Sequence, residues 1–145
     1  MYTLRKATRN DHDTIKNIIQ QVGINPLGIH WKRFVVLEVD DVIIGCVQRK
    51  DFMFVAQELS SLAILPAWQK KGLSSQLIQA CIEGASKELF LVCDAKLESV
   101  YRKHGFVRHP PKELSSFYRI HLRISRMFWR IISDGTYPIL MIHHS

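Results

Sequence analysis

Three cysteines in 145 residues, Cys46, Cys81 and Cys93, are too few and too widely spaced for a disulfide framework. Each stands in an apolar context such as Leu91-Val92-Cys93 and reads as a reduced core thiol. No Cys or His pair has the short spacing and additional ligands that a zinc site needs. His143-His144 is an adjacent pair, for which a tail or tag remnant is the simpler reading, so no metal is expected. No apolar run is long enough to cross a bilayer, and Met1-Tyr2-Thr3-Leu4-Arg5 does not open a secretion signal, so the expectation is a cytoplasmic chain without a transmembrane segment. Internal repeats and low-complexity stretches are also missing, which argues against solenoids and disorder. Acidic residues are in short supply: 13 Asp+Glu stand against 20 Lys+Arg, and the net charge of +7 favours polyanionic ligands. Nucleic acid is not the expected partner, because no recognition helix, zinc finger or RNA-recognition signature accompanies the charge.

What remains is the length of a single domain, 1–145, able to bury its own core. Thr3 to Ala7 reads as a strand, followed by a helix that Asn10 or Asp11 caps and Gly23 ends, with Ile15, Ile18, Ile19 and Val22 on one side. Arg33 to Val39 and Val42 to Lys50 are strands joined by a hairpin at Asp40-Asp41, and Gln57 to Leu65 is a fourth strand. A helix from about Gly72, a strand from Leu89 to Cys93 and a short helix stopped by Gly105 come next. Phe106 to Arg108 begins another strand. From Leu114 to Ile132, Phe117, Ile120, Ile124, Met127, Phe128 and Ile131 recur at helical spacing, with Arg119, Arg123, Arg126 and Arg130 opposite. The expected packing face is the first set. Asp134-Gly135-Thr136 ends that helix, and Tyr137 to Ile142 is a final strand.

The richest segment runs from Glu58 to Ser75. An apolar strand closed by Pro66 meets a turn with Lys70, Lys71 and Gly72, then a helix opening at Leu73. The first N–H groups of that helix lack intrahelical acceptors and carry partial positive charge, so the turn suits a phosphate. The spacing of Gln69, Gly72 and Ser74 resembles the Q/R-x-x-G-x-G/A pyrophosphate motif of the GNAT N-acetyltransferases, and Tyr101-Arg102-Lys103-His104-Gly105-Phe106 resembles the later Y-x-x-x-G-F element of that family. Ser74 departs from the usual Gly or Ala, though its hydroxyl can donate to a phosphate.

The resemblance implies an α/β fold with a mixed, mostly antiparallel central sheet flanked by helices, here with an added basic helix before the last strand. It implies acetyl-CoA as donor cosubstrate, bound by the backbone of Leu62, Ala63 and Ile64 and by Gln69, Lys70, Lys71, Gly72, Leu73, Ser74 and Ser75. Tyr101 corresponds to the tyrosine that protonates the coenzyme A thiolate, or else packs beneath the cofactor. An alkylamine must lose its proton before it attacks a thioester, and Glu58 is the candidate base with His30 as competitor. The segment around His30 and Trp31 corresponds to the acceptor side. Asp94 is a weak stand-in for an asparagine that often touches the cofactor. The expected function is acetyl transfer to a primary amine, a small molecule before a protein N-terminus, by direct attack in a ternary complex. The alternative is an acyl-CoA-binding regulatory module. A homodimer is left open, and the basic helix has three readings: a solvated face, an acceptor wall or dimer contact, and an anionic membrane contact.

Overall fold

The computed structural model describes residues 1–132 and 136–144. The architecture is a mixed, mostly antiparallel sheet flanked by helices. The chain divides into two compact units, Met1–Lys87 and Glu88–Ser145.

The first unit contains strands β1 (Tyr2–Lys6), β2 (Phe34–Val39), β3 (Val42–Phe52) and β4 (Ala56–Ile64), with helices α1 (His12–Val22) and α2 (Leu73–Glu83). The strands pair in sequence order, all antiparallel. Asp40 and Asp41 join β2 to β3 with φ of 47° and 64°, the left-handed pair that lets a two-residue hairpin follow the strand twist. Alternation along β3 divides the sheet. Cys46 belongs to the core cluster with Ile15, Ile18 and Ile19 of α1, whereas Gly45 lies against Leu77 of α2 and Arg49 donates to the Cys81 carbonyl at 3.3 Å. Even-numbered positions from Cys46 to Lys50 thus face the α1 side and odd-numbered positions from Gly45 to Arg49 face the α2 side.

Asp11 does not cap α1 with its side chain; its carboxylate instead accepts from the Thr8 backbone at 2.6 Å and from Arg5 at 2.8 and 3.1 Å. This ties β1 to the turn that launches α1. Gly23 closes α1 at φ 82°, in the left-handed conformation that glycine adopts without strain.

The second unit contains β5 (Glu88–Asp94), α3 (Glu98–Arg102), β6 (Phe106–Arg108), α4 (Ser116–Ile132) and β7 (Pro138–His143), with β7 between β5 and β6, antiparallel to both. Two expectations change here. His143 is part of β7, opposite Phe106 with their rings 5.2 Å apart, and His144 Nε2 lies 3.2 Å from His109 Nε2, so these histidines close a sheet edge and are not a loose tail. The second change concerns α4, which packs through Tyr118 and Leu122, with Phe117 and His121 reaching the Phe90 ring of β5. Ile120, Ile124, Met127 and Phe128, expected inside, are exposed. The cause is that α4 carries two apolar stripes, and the bulkier aromatic one meets the sheet. Asp134-Gly135, the expected helix breakers, lie outside the described residues.

Candidate active site

On the α1 side of the first unit, β3 and β4 bring polar groups to one face. Lys50 stands opposite Glu58, and Gln48 opposite Ser60. Side chains at facing positions are neighbours, about 5 Å apart at Cβ, so all four share a patch. Glu58 is half-buried, and the Ser60 Oγ is buried without a hydrogen-bond partner among the described residues.

Between Ser60 and Ala63 the pairing slips by one residue: Gln48 faces Ser60 while Cys46 faces Ala63, so β4 holds one residue more than β3. Ser61 takes φ 53° at this bulge. Such a bulge leaves an extra residue outside the ladder and re-aims the strand. Gln48 supports it. Its side chain is fully buried at 0 % exposure, its Nε2 donates to Ser61 Oγ at 3.3 Å, and its Oε1 accepts from the His30 backbone at 3.3 Å. One amide therefore links the bulge to the segment between α1 and β2.

That segment is anchored by Ile24 and Ile29 on the α1 core, and ends in a 3-10 turn, Trp31–Arg33. His30 Nδ1 accepts from the Lys32 backbone at 3.3 Å, and its ring stacks on Trp31 at 6.0 Å. Lys50 Nζ lies only 3.2 Å from where a Cβ at Gly28 would stand. The structure thus brings Glu58, the candidate base, and the His30 segment to the same side of the sheet.

Beyond β4 the chain makes a 3-10 turn, Pro66–Trp68, and enters the predicted cradle. Gln69 folds back, its Nε2 donating to the Ile64 carbonyl at 2.9 Å, which pins the turn to the end of the strand. Lys70 and Gly72 are both left-handed, at φ 62° and 75°, and Gly72 caps α2. Leu73 is buried and fixes the start of the helix, while Ser74 is half-buried and Ser75 exposed. A Cβ built on Gly72 meets nothing within 4 Å, so the space over the helix start is open. Lys71 places its ammonium 5.2 Å from the centre of the Trp68 ring. The donor set is backbone N–H and lysine, which suits a pyrophosphate.

In the second unit Tyr101 is a buried residue of α3, its ring edge-on to Phe106 at 6.0 Å. Gly105, at φ 90°, turns the chain from α3 into β6. Asp94 accepts from the Lys96 backbone at 3.0 Å and thereby caps the turn before α3, a local structural task. Burial pushes the Cys93 thiol up to about 12, aided by Asp94 and Glu98, and Cys46 likewise to about 12, so neither is a thiolate nucleophile near neutral pH.

A bulged strand running into a left-handed, lysine-bearing turn at a helix start agrees with the match of residues 30–108, more than half of the chain, to the Acetyltransferase (GNAT) domain family. The chain belongs to the GNAT acetyltransferases. N-acetylglutamate synthase from Neisseria gonorrhoeae, solved with coenzyme A and N-acetyl-glutamate, is similar over 100% of this GNAT chain and 36% of its own, at TM-score 0.75 and 21% identity. The chain therefore spans about a third of that synthase's length. Rv2747 from Mycobacterium tuberculosis, solved in complex with CoA and NLQ, matches at TM-score 0.77 and 15% identity over 99% of both chains. A GNAT-family acetyltransferase from Bacillus cereus matches at TM-score 0.72 and 19% identity, over 100% of this chain and 98% of its own. No curated protein sequence matches. Among the described residues no helix is long and apolar enough to cross a membrane, and no group of three or more His, Cys, Asp or Glu could hold a metal ion.

Gln48, Lys50 and Ser60 did not stand out as functional in the sequence. A signal existed: Gln48 ends the apolar run from Val42 to Val47, and Ser60-Ser61 occupies the middle of another strand, where β-branched residues are favoured.

Proposed function

We propose that this GNAT chain is a single domain, 1–145, that transfers the acetyl group of acetyl-CoA to a primary amine by direct attack in a ternary complex. The observation that carries the reading is the bulge at Ser61 leading straight into the left-handed Lys70 to Gly72 turn. Acetyl-CoA supplies the thioester. The N–H groups of the turn and of the first residues of α2, with Lys70 and Lys71, hold its pyrophosphate, and the backbone of Leu62 to Ile64 holds the pantetheine arm. Gln69 positions this turn through Ile64.

Glu58 accepts the amine proton, directly or through a water. Tyr101 returns a proton to the departing thiolate. Lys50, directly opposite Glu58, favours an acceptor whose amine lies near an anionic group, as in an amino acid. The N-acetyl-glutamate in the gonococcal synthase is a product of this chemical kind.

Calorimetric titration with acetyl-CoA tests the donor, and an affinity that falls about tenfold in Gly72→Ala supports the proposed cradle. Absence of binding by the parent chain overturns the reading. Binding without thiol release for any amine offered favours the acyl-CoA-binding module instead.

A further inference from the structure

Helix α4 holds a feature that acetyl transfer does not use. From Ser116 to Ile132 it contains no Asp or Glu. At 3.6 residues per turn its side chains divide into three stripes. Tyr118 and Leu122 are buried, with His121, Ser125 and Trp129 half-buried beside them. On one flank Ile120, Ile124, Met127 and Phe128 expose 57%, 50%, 65% and 57% of their surface. On the other flank Arg119, Arg123 and Arg126 are exposed. The apolar stripe spans about 100° of the helix circumference, and the arginines continue the same outward side.

A row of four large apolar side chains in water is costly, at roughly 25 cal/mol per Å² left uncovered, and its regular spacing points to a partner. That partner must accept apolar residues and cations side by side. A second copy brings another +7 chain and another arginine row to the seam, which repels. The boundary between headgroups and acyl chains of an anionic membrane satisfies both stripes together: aliphatic and aromatic residues enter the boundary while arginines meet lipid phosphates. We infer that the exposed face of α4 docks this acetyltransferase on an anionic lipid surface, as an interfacial helix and not a spanning one.

The test is co-sedimentation of the full chain with vesicles of phosphatidylcholine alone or with added phosphatidylglycerol, across a salt series. Expected is partition to the anionic vesicles that weakens as salt rises. Replacing Arg123 and Arg126 together by Gln should lower that partition about thirtyfold, from the usual contribution of a basic residue near a charged surface. Met127→Ser with Phe128→Ser should also abolish it while acetyl-CoA affinity is unchanged, which shows the fold intact. No partition, or equal partition to both vesicle types, overturns the inference. So does a concentration-dependent dimer that the Met127→Ser, Phe128→Ser chain loses, or oligonucleotide retention that survives in that chain when vesicle binding is absent in the parent.

Discussion

The Gln48 side-chain amide reaches the Ser61 hydroxyl at 3.3 Å, where β4 leaves its ladder in the left-handed conformation. The other end of the same amide receives the His30 backbone N–H. A buried amide satisfied at both ends is a rigid strut, because breaking either bond leaves a polar group in the core. The bulge and the segment proposed to lie over the acceptor are therefore set by one side chain.

Gln48→Leu should cost about 1–3 kcal/mol of stability, since the Ser61 hydroxyl and the His30 N–H both lose a partner. Urea unfolding measures the loss. In turnover, the acceptor KM should rise more than the acetyl-CoA KM; an unchanged acceptor KM would mean that the strut does not shape that side.

Gly72→Ala isolates backbone conformation, because the added methyl meets no neighbour and only the φ of 75° resists it. The expected destabilisation is about 1 kcal/mol, the usual penalty for an L residue held left-handed. Acetyl-CoA affinity should fall about tenfold, or ~1.4 kcal/mol, as the methyl enters the cradle. Unaltered affinity would place the pyrophosphate elsewhere.

The Arg5 guanidinium and the Thr8 hydrogen bonds hold the Asp11 carboxyl at about 2, below its ordinary 3.8. A depressed carboxylate contributes stability above its unfolded pKa and loses it as pH falls through the folded value. The contribution, about 2 kcal/mol, should be present at pH 5 and fade between about pH 4 and pH 2. Asp11→Asn should flatten that part of an acid-unfolding curve. An identical curve would show that the cluster contributes nothing.

Tyr101→Phe keeps the ring against Phe106 and removes only the hydroxyl. If Tyr101 is the proposed acid, kcat should drop about a hundredfold with acetyl-CoA affinity retained. Glu58→Gln should lower the rate most near neutral pH, where the amine is protonated, and less at high pH. A pH-independent deficit would assign Glu58 a structural part.

Elements with local chemistry were legible from the sequence. The Asp40-Asp41 hairpin, the Gly105 stop and the strand, turn and helix around Gly72 all rest on residues whose backbone preferences determine the conformation. The bulge at Ser61 was not legible, because it comes from tertiary pairing with β3 and leaves no periodic mark. Nor was the packing face of α4. Tyr118, Leu122 and Trp129 form an apolar stripe as regular as Ile120, Ile124 and Met127, and spacing alone does not say which one meets the sheet. The stripe left outside is the one assigned to the lipid surface. His143 belongs to β7 because it continues the apolar run Pro138 to Ile142, a signal that its place beside the C-terminus obscures.

The central claim is direct transfer from acetyl-CoA to an amine. Initial rates of thiol release, with acetyl-CoA and an amino-acid amine varied against each other, test it most directly. Direct transfer gives amine-dependent release with intersecting double-reciprocal lines, the pattern of a ternary complex. Parallel lines would contradict direct attack by indicating a covalent acyl-enzyme, and release that no amine accelerates would contradict acetyl transfer itself.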